Sequence, residues 1–204
     1  MEKTERMPVV PLEAGAGPDN PPCPACGEPL FGWIDSRPGL SGPVSRCESC
    51  GLGVVGEPGS AEEALRELDR LGDREGVTIV NRASFSAWIG GAGWAGLERD
   101  SRYLFTIETV RRLVAGRDQV VRSTRWSPGR GMATMWQTLV NSATFGRNVA
   151  IGASVTAGKP WQRRVDWVVI AVLAIPALAV ALPLELAGAA SRRGSAQTLR
   201  FELL

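Results

Sequence analysis

The sequence predicts an α+β protein in which a small metal-nucleated ribbon precedes a partial α/β region and a C-terminal apolar helical segment. Three observations predict it. All four cysteines of the 204-residue chain fall in two CxxC turns, Cys23-Pro24-Ala25-Cys26-Gly27 and Cys47-Glu48-Ser49-Cys50-Gly51. Short apolar stretches of strand and helix period alternate behind them. An unbroken apolar run from Trp167 to Leu184, 18 residues long, then dominates the last quarter.

Residues 1–22 are rich in Pro, Gly and acidic side chains without periodicity and read as a tail. The ribbon occupies 23–55. Its two CxxC turns supply four soft thiolates in pairs, with a glycine after each second cysteine where the tight turn needs a permissive backbone. The spacing fits a structural zinc site formed by Cys23, Cys26, Cys47 and Cys50. Iron can occupy the same donor set, and two disulfides would use the same cysteines in an oxidising compartment. The chain begins MEKTERMPVV with no apolar signal region, which favours the reducing cytoplasm and a metal. Four cysteine ligands leave no open coordination position, so the zinc is expected to be structural.

Phe31, Trp33 and Ile34 are expected in one ribbon strand and Pro43 to Arg46 in another. Residues 56–60 form a breaker-rich linker. Ser60 and Glu63 then make a capping box, and Ala61, Ala64, Leu65, Leu68 and Leu71 give the following helix an apolar stripe that Gly72 ends. This opens a partial α/β region, 61–164. Gly76 to Val80 is a strand dense in β-branched residues, and a loop carrying Trp88, Trp94 and close glycines follows. Thr106 caps a helix with Ile107, Val110, Leu113 and Val114 on one face, which Gly116 stops. Gln119 to Trp126 reads as a strand, and Met132, Met135, Trp136, Leu139 and Val140 mark an amphipathic helix. The hydrophobic segment, 165–190, is long enough to meet a membrane, but Pro176 and Pro183 argue against a straight helix through it. A kinked span or a hairpin turning near Pro176 is expected, and a helix pair in a soluble core is the other reading. Residues 195–204 alternate as a final strand.

The net charge of +2 carries no basic field that would make nucleic-acid binding the main task. Arg37, Arg46, Arg122 and Arg125 could touch phosphate, but four scattered arginines read as a solvated face. Histidine is absent, which excludes Ser-His and Cys-His nucleophiles and histidine-ligated catalytic metals.

The stretch Leu65 to Phe85, LRELDRLGDREGVTIVNRASF, resembles the helix, turn and fifth strand of class I S-adenosylmethionine-dependent methyltransferases, with Val80-Asn81 at the strand end. Trp94 to Leu97 and Tyr103 to Thr106 resemble the loop and helix start that follow. The whole is similar to a bacterial methyltransferase group that carries an N-terminal zinc ribbon. The resemblance implies that the sheet ends in two neighbouring strands, here Gln119 to Trp126 and Ala196 to Leu204. It also implies a cofactor site, on a glycine-rich turn after a first strand, that this chain skips. Gly51-Leu52-Gly53 belongs to the second CxxC turn, and Gly90-Gly91-Ala92-Gly93 has no strand before it. The chain alone is therefore not expected to bind S-adenosylmethionine.

Three functions follow from this reading. The first is a methyltransferase-like remnant, without catalysis of its own, that acts as a binding or scaffold module on the cytoplasmic side of the membrane. Its exposed sheet would be covered by a protein partner, by a second copy or by the membrane surface. The second is a methyltransferase half completed by a partner chain or dimer, and the third a zinc-ribbon nucleic-acid adaptor. If the last two strands pair, both ends of the apolar run lie on one side of the bilayer. A monotopic hairpin with arms Trp167 to Ile175 and Ala177 to Leu186 is then expected, and zinc removal is expected to melt the ribbon alone.

Overall fold

Two four-stranded sheets organise the chain, and the helices pack around and between them. The computed structural model describes residues 20–35, 40–73, 76–97, 101–150 and 159–203. The tail expected over residues 1–22 therefore lies almost wholly outside the described residues, as does Arg37.

The first sheet holds strands β1 (Leu30–Ile34), β2 (Val44–Cys47), β3 (Gly53–Val55) and β6 (Tyr103–Leu104), in the order β1-β2-β3-β6. β1 and β2 are the expected ribbon strands. β3 follows directly on the second CxxC turn and pairs Gly53 with Leu104 and Val54 with Tyr103 of β6, so the ribbon recruits a strand from the second half of the chain. Helix α1 (Ala61–Arg70) opens with the capping box read from the sequence: Ser60 Oγ accepts from the Glu63 backbone N–H and the Glu63 carboxylate accepts from that of Ser60, both at 3.2 Å.

The second sheet has the order β4-β5-β8-β7, formed by β4 (Gly72–Asp73), β5 (Gly76–Val80), β7 (Gln119–Trp126) and β8 (Ala196–Leu203). Among the described residues every pair in both sheets is antiparallel. The final strand β8 lies between β5 and β7, with Val77 opposite Leu199 and Trp126 opposite Gln197. Helix α3 (Ile107–Ala115) starts at Thr106, whose side chain accepts from the Thr109 N–H at 3.0 Å, and is capped by Gly116.

The loop expected around Trp88 and Trp94 is instead a short helix, α2 (Phe85–Gly90), followed by a 3-10 turn over Gly91–Gly93. Trp94 is fully buried, and its indole N–H donates to Ser86 Oγ at 3.1 Å. Helix α4 (Pro128–Asn141) contains the expected stretch Met132 to Val140 but starts four residues earlier, and it buries more polar side chains than its apolar stripe implies. Asn141 donates to Gly93 O at 2.9 Å and to Asn148 Oδ1 at 3.0 Å, and Asn148 reaches Ala95 O at 3.0 Å. This network satisfies the backbone of the loop that α4 covers.

The apolar segment is a helix, as one of the two expectations had it, and corrects the hairpin. It forms one continuous helix, α5 (Pro160–Ala190), 31 residues and about 46 Å long at 1.5 Å per residue. Neither a hairpin nor a break occurs at Pro176. Pro176 and Pro183 are seven residues apart, so both rings stand on the same, exposed side of the helix. The opposite side carries the contacts that hold α5 to the body on both sides of Pro176. Asp166 accepts the N–H groups of Phe145 and Gly146 at 2.7 and 2.9 Å. Ile170 packs on Val140 and Val149, and Ala174 O accepts from the Trp136 indole at 3.0 Å. Ala181, Glu185 and Gly188 continue the buried line. Anchors at i, i+4 and i+3 spacing along one face offset the roughly 3 kcal/mol that a helical proline costs.

Candidate metal centre

The two CxxC turns fold as a matched pair. Gly27 N donates to Cys23 O at 2.8 Å and Gly51 N to Cys47 O at 3.0 Å, and both glycines adopt φ of +78°, which L side chains rarely do. β1 and β2 run from one turn to the other and bring them face to face. The sulfur atoms of Cys23, Cys26, Cys47 and Cys50 all lie within 4.8 Å of one another. Cys23 Sγ is 3.6 Å from Cys50 Sγ, and Cys26 Sγ is 3.5 Å from Cys47 Sγ. A tetrahedral ion with Zn–S bonds of about 2.3 Å sets its sulfurs roughly 3.8 Å apart, so the cluster has the dimensions of a four-thiolate cage. All four cysteines are free thiols, and the four could hold a metal ion such as zinc.

The thiols share protons unevenly. The hydrogen bond between Cys23 and Cys50, reinforced by burial, holds Cys23 protonated well above its usual range. The same hydrogen bond pulls Cys50 down to about 5, against the effect of burial. Burial raises Cys47. A metal that binds here must displace the protons of the raised thiols.

The body of the protein supports the cage. The Cys50 carbonyl accepts from the hydroxyls of Thr106 at 2.8 Å and Thr109 at 2.9 Å, so the residue that caps α3 also fixes the second CxxC turn. A Cβ on Gly51 would stand 2.8 Å from Thr106 Cγ2, which gives that glycine a packing reason as well as a conformational one. The Arg82 guanidinium, whose Nε donates to Gly51 O, stacks 4.9 Å over the Trp33 ring. Burial, and then the charge of Arg46, lower Arg82 to about 10. Cys23, Leu30, Cys47 and Cys50 share one core with Leu65 and Leu68 of α1, Val77 and Ile79 of β5, and Leu199 of β8. The boundary at residues 56–60 thus divides the sequence but not the packing.

The four arginines considered for phosphate are not brought together. Arg46 lies on β2 and pairs with Glu48 at 3.3 Å, Arg122 lies on β7 and pairs with Glu202 at 2.9 Å, and Arg125 is an exposed residue of β7. Arg82 and Arg193 were not singled out, although they share a cavity with Arg46. Arg82 follows a strand and Arg193 follows a helix, positions that carry no periodic signal. Gly90 to Gly93 end α2 and form the 3-10 turn.

No protein-family model, curated protein or solved structure matches this chain.

Proposed function

We propose that this chain is a metal-ribbon scaffold module that rests on the membrane surface through α5, with the methyltransferase-like region serving as its frame. The observation that carries the reading is the outward face of α5. The helix is long and apolar enough to cross a membrane, yet only 17 % of its most apolar stretch is buried inside the fold. Val168, Val172, Ile175, Leu178, Val180, Leu182 and Leu186 are exposed, Ile175 to 80 %. At 100° per residue they cover roughly 200° of the helix circumference, more than a single helix-pairing stripe needs. Trp161 and Trp167, with Arg163 and Arg164, stand at one end of this face, and Arg192 and Arg193 follow the other. Aromatic and basic residues at the ends of an apolar surface suit a membrane interface.

An in-plane position is favoured over a span. Asp166 and Glu185 both bond to the same folded body and are separated by about 28 Å of helix, close to the thickness of the hydrocarbon core. A spanning α5 would carry α4 and its buried amide network into the lipid. Burying the exposed apolar side chains in lipid is worth on the order of 10 kcal/mol before ordering costs. The free-thiol cage suits the reducing, cytoplasmic side of a membrane.

The place of β8 between β5 and β7 agrees with the last strands that the methyltransferase resemblance implies. On this reading the frame keeps the family's sheet end without its cofactor half. Co-sedimentation of the metal-loaded chain with phosphatidylcholine vesicles tests the proposal. Val172→Asp with Ile175→Asp is expected to leave the far-ultraviolet circular dichroism unchanged and to abolish vesicle binding. Vesicle-free dimerisation that the same pair abolishes would instead assign the face to a second copy.

A further inference from the structure

A cavity of about 500 Å³ opens beside the metal centre and is lined by Trp33, Arg46, Arg82, Trp88 and Arg193 among its residues. Its size is that of a small-molecule site. Three arginines line it and no aspartate or glutamate does. Each arginine has donor capacity left. Arg46 Nε is buried and has no acceptor, although Nη2 of the same side chain reaches Glu48. Arg82 spends Nε on Gly51 O and forms no ion pair among the described residues. The Arg193 side chain forms no hydrogen bond or ion pair among them; only its backbone is used, with the carbonyl accepting from Phe85 N at 3.3 Å. A filled four-thiolate site would carry a charge of about −2, which Arg46 and Arg82 offset from the ribbon side. Arg193 comes from the turn after α5 and adds a further positive charge to the cavity.

We propose that this cavity binds a phosphate ester, with Arg46, Arg82 and Arg193 holding its oxygens. Guanidinium groups present paired donors that match phosphate oxygens. The wall of Trp88, 84 % exposed, offers a flat apolar surface to the organic part of the ester at the mouth. The ester can be a soluble metabolite or the headgroup of an anionic phospholipid, since the chemistry recognised is the same. The site does not rest on α5 meeting a membrane, though its position at the C-terminal end of α5 would put it within reach of headgroups.

Calorimetric titration of the full-length, metal-loaded chain with sn-glycerol 3-phosphate, and with glycerol as control, tests the soluble source. Co-sedimentation with vesicles of phosphatidylcholine, with and without phosphatidylglycerol, tests the lipid source. Arg193→Gln is exposed and expected to fold normally; it should weaken whichever phosphate interaction is present about tenfold, the loss of one charge-assisted bond. Trp88→Ala should weaken it less while the metal content and circular dichroism stay unchanged. Saturable binding of glycerol 3-phosphate that Arg193→Gln weakens supports the site with a soluble ligand. A gain from phosphatidylglycerol that the same variant removes supports it with a lipid. The proposal is overturned if neither probe binds, or if Arg193→Gln leaves both unchanged. Binding to neutral vesicles depends on α5 alone, so its failure would count against the membrane reading and leave the cavity's result standing.

Discussion

The buried carboxylate of Glu185 on α5 accepts a hydrogen bond from the Trp126 indole at the end of β7, with Oε1 2.9 Å from Nε1. The same carboxylate takes the Ser195 backbone N–H at 2.7 Å and the Ser195 hydroxyl. One side chain therefore ties the end of the apolar helix to the end of β7 and the start of β8, using neutral donors only. Glu185→Ala would leave the indole and a buried backbone N–H without acceptors, at a cost of about 3–5 kcal/mol. Glu185→Gln keeps one acceptor oxygen and is expected to cost about 1–2 kcal/mol. Denaturant unfolding in mild detergent distinguishes them; equal losses would mean that the negative charge, not the acceptor geometry, holds the corner.

Gly131 completes the same corner. A Cβ there would stand 2.4 Å from Glu185 Oε1 and 2.9 Å from Trp126 Nε1, so Gly131→Ala must push the pair apart. The expected loss is about 1–3 kcal/mol despite the better helix propensity of alanine. A double-mutant cycle with Glu185→Gln should show strong coupling, and simple additivity would place the strain elsewhere.

Removal of the metal is expected to destabilise more than the ribbon. The sequence suggests that the ribbon melts alone, but its cysteines share a core with α1, β5 and β8, and Cys50 O is held by both Thr106 and Thr109. Chelation of the reduced protein, or Cys47→Ser, should therefore lower the main unfolding transition and loosen α1 and α3 together. Hydrogen exchange confined to residues 20–55 after chelation would restore the independent ribbon. Because Cys23 and Cys47 are raised, the metal competes with protons for them, and its affinity should fall as the pH falls below neutrality.

Glu67 gives a pH signature of opposite sense to a paired carboxylate. It accepts the backbone N–H groups of Arg102 and Tyr103, both at 3.1 Å, but burial outweighs these bonds and raises its pKa above 4.5. A carboxyl raised on folding binds its proton more tightly in the native state, so its contribution falls as the pH rises above 4.5 through the folded value. Glu67→Gln keeps an acceptor and removes the charge. It should flatten the stability profile above pH 4.5 and be neutral or stabilising at pH 7.

The parts of this protein written in local chemistry were legible in the sequence. Cys-x-x-Cys spacing, the Ser60 and Glu63 capping box, the Thr106 cap and the β-branched run at Gly76 to Val80 each fix a few neighbouring residues, and each stands where it was expected. What was hidden depends on partners far away in the chain. β3 pairs with nearby β2 on one edge, but its other edge is covered by β6, some 50 residues later, which no local pattern announces. Trp94 is core because Ser86 accepts its indole N–H and Ile34, Val44, Val55 and Leu104 of the first sheet pack in one cluster with it, although its neighbours read as a glycine-rich loop. The cavity arginines converge from β2, the turn after β5 and the turn after α5, and no spacing rule joins them.

Pro176 is the sharpest case of that conflict, and substitution there separates the two readings. In the continuous helix the ring removes the N–H that the Val172 carbonyl would accept, on an exposed face where nothing is gained in return. Pro176→Ala restores that bond and the propensity, worth up to about 3 kcal/mol, against a loss of about 0.4–1 kcal/mol from the freer unfolded chain. A net stabilisation of about 1–2 kcal/mol is expected, with slightly higher helicity and vesicle binding unchanged. If the chain turned at Pro176 instead, alanine would remove a preset turn residue, and the variant would lose stability. The sign of the change decides between a helix that lies along the body and a hairpin that leaves it.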